Sequence, residues 1–270
     1  VGTTAYRYPN EHLILAATIG LVLIVIALTA TATVCASVIF IFLFVIFAYN
    51  MSLAHHRELV RAARPITPQQ TPELAELVER GVDRIQPGAV DVYLLASREM
   101  NAYTFGLGSP KVVVLYSALF QTMDEDEILF ILGHELAHVA LGHTWLNSLV
   151  GGMAGIPSSI SVTAVLTIAF LWWNRACEYS ADRGGLLACE KPEKAISALV
   201  KLAAGPQAKD QRSLAQAYQQ IDAEDDTLMG SLNEALATHP MLIRRIERLR
   251  EYAASPQYQR LRNQMDRRQG

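Results

Sequence analysis

His134-Glu135-Leu136-Ala137-His138 lies inside an apolar run. Ile128-Leu129-Phe130-Ile131-Leu132-Gly133 precedes it and Val139-Ala140-Leu141 follows. The apolar spacing is that of a helix, and positions i and i+4 of a helix share a face. Both imidazoles can therefore reach one metal ion, with Glu135 beside it to take a proton from water. Two unpartnered imidazoles on a buried helix would be costly, so the apolar neighbours strengthen the metal reading. Asp124-Glu125-Asp126-Glu127 opens this helix, with acids where the helix dipole favours them. The pattern predicts a helix running through His143.

A catalytic zinc requires a third protein ligand. Glu178-Tyr179-Ser180-Ala181-Asp182 offers one on a second predicted helix, 158–189. Glu178 can ligate while Asp182, on the same face, accepts the free N–H of a ligand histidine and fixes its tautomer. Cys177 is adjacent, but a site using it would leave Glu178 idle, so it reads as packing. Cys35, Cys177 and Cys189 read as free thiols.

Working outward, charge is distributed unevenly. Residues 12–56 and 144–174 contain no Asp, Glu, Lys or Arg. The other 194 residues carry all 49 charges, a density of 25%, which is that of an ordinary soluble domain. Mean hydropathy is +0.20. The chain therefore reads as a soluble domain with two apolar inserts. Disordered chains and disulfide mini-proteins are excluded, and a net charge of −3 gives no nucleic-acid signal. The run Leu13 to Tyr49 fits two reduced spans, 13–30 and 35–49, with one long tilted span as the rival. Arg57, Arg61 and Arg64 follow it and only Arg7 precedes it, which puts residues 57 onward in the cytoplasm.

Beyond a linker at Pro65 to Pro72, the pattern predicts an amphipathic helix over 73–85. Short strands follow at Val90–Leu95, Ala102–Phe105 and Val112–Leu115. Further helices are expected at 193–204, 212–221, 230–237 and 241–253, with a loop at 222–226. The eight arginines of 244–270 face three acids and read as a solvated basic tail, attraction to anionic lipid being a weaker option. The fold class is mainly α with a small β-sheet (α+β).

His134–His138, Glu178–Asp182, Asn101-Ala102-Tyr103-Thr104-Phe105-Gly106 and Thr238-His239-Pro240 with Arg245-Ile246 together resemble the HtpX and CAAX-prenyl-endopeptidase family of membrane zinc metallopeptidases. The likeness covers about 57–253 plus the apolar N-terminus. The apolar segment between the zinc blocks is shorter than the two full spans usual in bacterial HtpX-like members. The resemblance implies a zincin-like (gluzincin) metallopeptidase holding one Zn2+ on His134, His138 and Glu178. Glu135 would be general base, and His239 would donate to the oxyanion. Arg245 would lie close by, on a carboxylate of the site. Residues 101–106 would form the active-site edge strand, which pairs with an extended substrate.

Three parts are expected: an N-terminal anchor (1–56), a peptidase domain (57–253) and a basic C-terminal tail (254–270). A membrane-associated hairpin (144–174) would interrupt the domain. It must leave and return on one side for His138 and Glu178 to meet, turning at Gly151, Gly152, Gly155 and Pro157. Trp172 and Trp173 would sit at the lipid interface on its exit. The expected partners are the lipid bilayer and an unfolded or membrane protein as substrate, with no nucleic acid. The resemblance implies a bacterial inner-membrane location, the catalytic domain facing the cytoplasm. A non-cleaving zinc-stabilised membrane scaffold or chaperone, and a CAAX-type prenyl endopeptidase, are the alternatives.

Overall fold

The computed structural model describes residues 5–32, 36–106, 108–144, 161–205 and 242–269. Two helices occupy the first apolar run, α1 (Glu11–Ala32) and α2 (Ala36–Ala62). With no charged side chain after its first residue, α1 is long and apolar enough to cross a membrane, by length and composition. Its 22 residues rise about 33 Å, against roughly 30 Å of hydrocarbon. Both helices present large apolar groups outward, Leu28 at 65% and Phe42 at 64% exposure. Contiguous exposure of that kind is rare on soluble monomers.

After β1 (Arg64–Pro65), α3 (Pro72–Ile85) buries Leu77 and Ile85. Strands β2 (Val90–Leu95), β3 (Ala102–Phe105) and β4 (Lys111–Tyr116) follow, then α4 (Ser117–Thr122). The sheet order is β1-β2-β4-β3. β2 and β4 run parallel, with Val92 opposite Val113. β3 pairs antiparallel to β4, with Thr104 opposite Val113. Among the described residues β3 has no second neighbour, so it is an edge strand. Alternation sends Val113 and Leu115 into the main core, while Tyr103 and Phe105 meet His56 of α2.

The buried helix α5 (Glu125–Ala140) starts on a capping box. The Asp124 N–H donates to Glu127 Oε2 at 2.8 Å and the Glu127 N–H to Asp124 Oδ1 at 3.1 Å. Glu127 is buried and also receives Lys201 Nζ at 2.7 Å. α5 does not continue through His143. It ends at Ala140, and Gly142 takes φ 76°, in the left-handed region that stops the helix. His143 then lies against the end of the helix, its Nδ1 2.9 Å from His138 Nδ1.

α6 (Ser161–Cys189) crosses α5 at a seam of small residues. A Cβ on Gly133 would strike Ala188, one on Gly184 would strike Ala137, and one on Gly185 would lie 2.7 Å from the Phe130 carbonyl oxygen. The absent side chains let the two backbones come close enough for their functional groups to meet. α7 (Pro192–Ala204) and α8 (Leu242–Ala253) close the other side of the core. The helices expected at 212–221 and 230–237, the loop at 222–226 and the turn glycines of the hairpin lie outside the described residues.

Three expectations are corrected. Residues 256–269 are not a solvated tail: they form α9 (Pro256–Gln269), which buries Tyr258, Leu261 and Met265 in the core. Its apolar positions at i, i+3 and i+7 make one stripe beneath the charge. Trp172 is exposed, but Trp173 is buried and packs with Ile14, Leu15 and Phe170. Residues 5–11 do not stand apart from the main core but pack into it. Tyr6 is in the main core, the Tyr8 N–H donates to Ser180 Oγ at 2.8 Å, and Gln257 Nε2 donates to the Ala5 carbonyl at 2.6 Å.

Candidate metal centre

One helical turn separates His134 from His138, so both imidazoles leave α5 on the face turned to α6. Their Nε2 atoms are 3.2 Å apart. Glu178 on α6 meets both, Oε2 at 3.6 Å from His134 Nε2 and Oε1 at 3.4 Å from His138 Nε2. Four ligands at zinc–nitrogen distances of about 2.0–2.1 Å in a tetrahedron stand roughly 3.3 Å from one another. The observed spacings of 3.2, 3.4 and 3.6 Å match that edge length. The donor set thus fits a zinc ion, and all three donors lie within 4.8 Å of one another.

The groups behind the ligands hold them in place. Asp182 Oδ1 lies 3.0 Å from His134 Nδ1, which makes that nitrogen the N–H and leaves Nε2 bare. Arg245 on α8 grips Asp182 with two parallel bonds, Nε to Oδ2 at 2.8 Å and Nη2 to Oδ1 at 2.6 Å. Its Nη1 also lies 3.2 Å from Glu178 Oε2. Burial alone would raise both carboxyls. The Arg245 guanidinium outweighs it, with the histidines, holding Asp182 below and Glu178 well below the usual carboxylate range. Burial would likewise depress His134, but its bond to Asp182 and the charge of Glu178 raise it instead. A metal ion at this ring therefore competes with a proton more strongly than at an ordinary imidazole.

Glu135 points to the other side of the cleft, where Thr104 Oγ1 of β3 donates to its Oε2. The edge strand and the candidate base are thus in direct contact. Ala102 to Phe105 form β3, Asn101 is exposed just before it, and Gly106 ends it at φ 127°, which a side chain would resist. On the far face Tyr103 Oη lies 2.9 Å from His56 Nε2 and the His56 ring stacks on Phe105 at 3.9 Å. His239 lies outside the described residues. Of the residues singled out in the sequence, the structure brings His134, His138, Glu178, Asp182 and Arg245 together and sets Thr104 against Glu135, while Tyr103 and Phe105 turn to His56.

Sequence reasoning missed a second row of side chains. His143 Nδ1 lies 2.9 Å from His138 Nδ1, and His143 Nε2 lies 3.1 Å from Glu11 Oε1. Both residues are 1% exposed. Burial pushes the His143 imidazole down to about 4 despite its bond to Glu11. The signals were present: a histidine directly after a turn-forming glycine, and one acid at the start of an apolar run. Glu11, His143 and Cys177 also bring three donor atoms within 4.8 Å of one another. Burial raises the Cys177 thiol far above its ordinary value.

Comparison with known proteins covers the stretch that holds His134, His138 and Glu178. The family model described as "Peptidase family M48" matches residues 68–253. A relative from Arabidopsis thaliana, "Plastoglobule-localized metallopeptidase 48, chloroplastic", is 27% identical over 210 residues, covering 73% of this chain and 61% of its own. "Protease HtpX homolog" of Paenarthrobacter aurescens is 26% identical over 225 residues, 72% of this chain and 77% of its own. "Protease HtpX" of Xanthomonas oryzae pv. oryzae is 28% identical over 226 residues, 70% and 76%. The chain thus spans under two thirds of the plant relative and about three quarters of the bacterial ones.

Proposed function

Because the chain belongs to peptidase family M48, we propose that it is a membrane-anchored zinc endopeptidase that cuts extended segments of unfolded or membrane proteins. The observation that carries this reading is the convergence of His134 Nε2, His138 Nε2 and the Glu178 carboxylate beside Glu135, itself bonded to edge strand β3. Zinc held by those three residues would polarise a peptide carbonyl and acidify water.

The chain's own residues do the rest. β3 offers its unpaired edge, so a substrate adds as a strand through backbone bonds with little demand on sequence. Glu135 takes the proton of the attacking water on a carboxylate oxygen and returns it to the leaving nitrogen. Thr104 holds that carboxylate through Oε2. Asp182 and Arg245 keep His134 in the tautomer that leaves Nε2 bare. His239 donates to the oxyanion as the carbonyl carbon becomes tetrahedral. A purely structural zinc site has no use for Glu135, which favours cleavage over a scaffold role.

The apolar α1 supports anchoring in a bilayer, as one of two N-terminal spans, with 144–174 as a second membrane-associated element. Arg57 and Arg61 in the last turns of α2, with Arg64 just beyond, favour a cytoplasmic catalytic domain, as in a bacterial inner-membrane protease of protein quality control. Glu135→Gln in the full chain should keep one zinc per chain by metal analysis and lose cleavage of an unfolded membrane protein. Cleavage at the wild-type rate would overturn the mechanism.

A further inference from the structure

We propose that His143 and Glu11 are positioning residues for the metal ligand His138, so that the first residue of the apolar helix α1 sets the orientation of an active-site imidazole. This inference rests on the zinc-peptidase reading above.

The argument follows the protons. His138 turns Nε2 to His134 and Glu178, so its one ring proton belongs on Nδ1. That N–H points at His143 Nδ1, 2.9 Å away, which must therefore be the bare, accepting nitrogen. His143 then carries its proton on Nε2 and donates it to Glu11 Oε1 at 3.1 Å. The Glu11 carboxylate is in turn bonded by the Arg7 guanidinium and the Ser180 hydroxyl. Arg7 also donates through Nη2 to the Leu141 carbonyl at 2.9 Å, tying the row to the end of α5. Every bond in the row thus has one donor and one acceptor.

Each zinc-binding histidine consequently has its own buried support. His134 leans on Asp182 and Arg245. His138 leans on His143, Glu11 and Arg7. The Gly142 turn makes the second row possible by folding His143 back over His138. The Trp173 ring closes the site edge-on to His143, with centroids 6.1 Å apart. A second cation on Glu11, His143 and Cys177 is the competing use of these groups. It would need His143 Nε2 bare, which moves the proton to Nδ1 and sets two N–H groups against each other 2.9 Å apart. Arg7 already supplies the positive charge that Glu11 faces.

The test uses the full chain in detergent micelles. In zinc-loaded wild type labelled with 15N-histidine, long-range proton–nitrogen spectra should show His138 as Nδ1–H and His143 as Nε2–H, with one zinc per chain. Competition with a chromophoric chelator should show zinc affinity about 10–100-fold weaker in His143→Ala and Glu11→Gln. The absorption bands of the cobalt-substituted protein should shift in both. His143→Asn, whose Oδ1 can take the His138 proton, should recover most of the affinity. An Nδ1–H tautomer at His143, a second bound zinc, or wild-type zinc affinity in His143→Ala would overturn the proposal. The wild-type spectra decide even if a variant fails to fold. A wild-type chain that binds no zinc would instead overturn the metallopeptidase reading, and this one with it.

Discussion

Arg245→Met removes a charge while keeping an unbranched chain of similar length. In the metal-free protein it leaves buried Asp182 and half-buried Glu178 without the guanidinium that bonds the first at 2.6 and 2.8 Å and lies 3.2 Å from the second. Removing one partner of a buried ion pair costs about 3–5 kcal/mol, because the remaining charge is uncompensated. That is a large share of a total stability of about 5–15 kcal/mol. The penalty should depend on pH, and its sign follows from the shifts. Both carboxyls lie below their ordinary values in the folded protein. Their contribution is present above the unfolded value of about 4 and is lost as pH falls through the folded values. Without Arg245 the burial that raises both carboxyls is no longer outweighed, so their values should climb above about 4 and the penalty, largest near pH 7, should shrink as pH falls through them. Saturating zinc, which places a cation beside Glu178, should also reduce it. Urea unfolding of chelator-treated and zinc-loaded protein in micelles, between pH 8 and pH 4, measures all three effects. A penalty under about 1 kcal/mol, the range of exposed pairs, or one that does not change with pH, would refute the electrostatic account.

Three more outcomes follow from the same geometry. Thr104→Val keeps the strand's shape but removes the donor to Glu135 Oε2. With about 1.5–3 kcal/mol at stake in a bond to a charged group, kcat should fall roughly 10–100-fold with KM little changed, and equal loss in both would argue against an orienting role. Gly185→Ala sets a methyl 2.7 Å from the Phe130 carbonyl oxygen. It should destabilise by about 1–3 kcal/mol and weaken zinc binding, and unchanged thermal unfolding would show that the helix seam yields freely. Since His134 is raised by Asp182 and Glu178 against burial, zinc binding should release a proton from this ring, and affinity should fall as pH drops below its folded value. Its contribution to metal-free stability runs the opposite way, present below about 6.5 and lost as pH rises through the raised value. Titration calorimetry in buffers of different ionisation enthalpy reads that proton directly, and heats independent of buffer would contradict it.

The parts of this molecule that were readable in the sequence are those set by local periodicity. The alternation of Val90–Leu95 and Ala102–Phe105 marks two strands to the residue. His134, His138, Glu178 and Asp182 announce themselves because i, i+4 spacing on a helix is a geometric statement. What could not be read depends on distant encounters. His143 and Glu11 lie 132 positions apart, and only the left-handed Gly142 hints that His143 meets His138 at the end of α5. The helix α9 was hidden because its arginines dominate a thin apolar stripe, Tyr258, Leu261 and Met265, whose burial depends on which surface it meets. Trp173 was assigned to lipid from its position after an apolar run, but its ring found an aromatic slot beside His143 instead.

Residues 5–11 are built into the wall of the catalytic domain, and this constrains when the site can exist during synthesis. The Tyr8 N–H must wait for Ser180, and the Ala5 carbonyl must wait for Gln257, 252 positions later. Arg245, which neutralises Asp182 and Glu178, is also translated after every described ligand it supports. A growing chain therefore contains both histidines and the glutamate long before it can hold them in register. The ends of the loop must first be brought together against chain entropy. Closing the fold and bringing His134, His138 and Glu178 into register are therefore a single event.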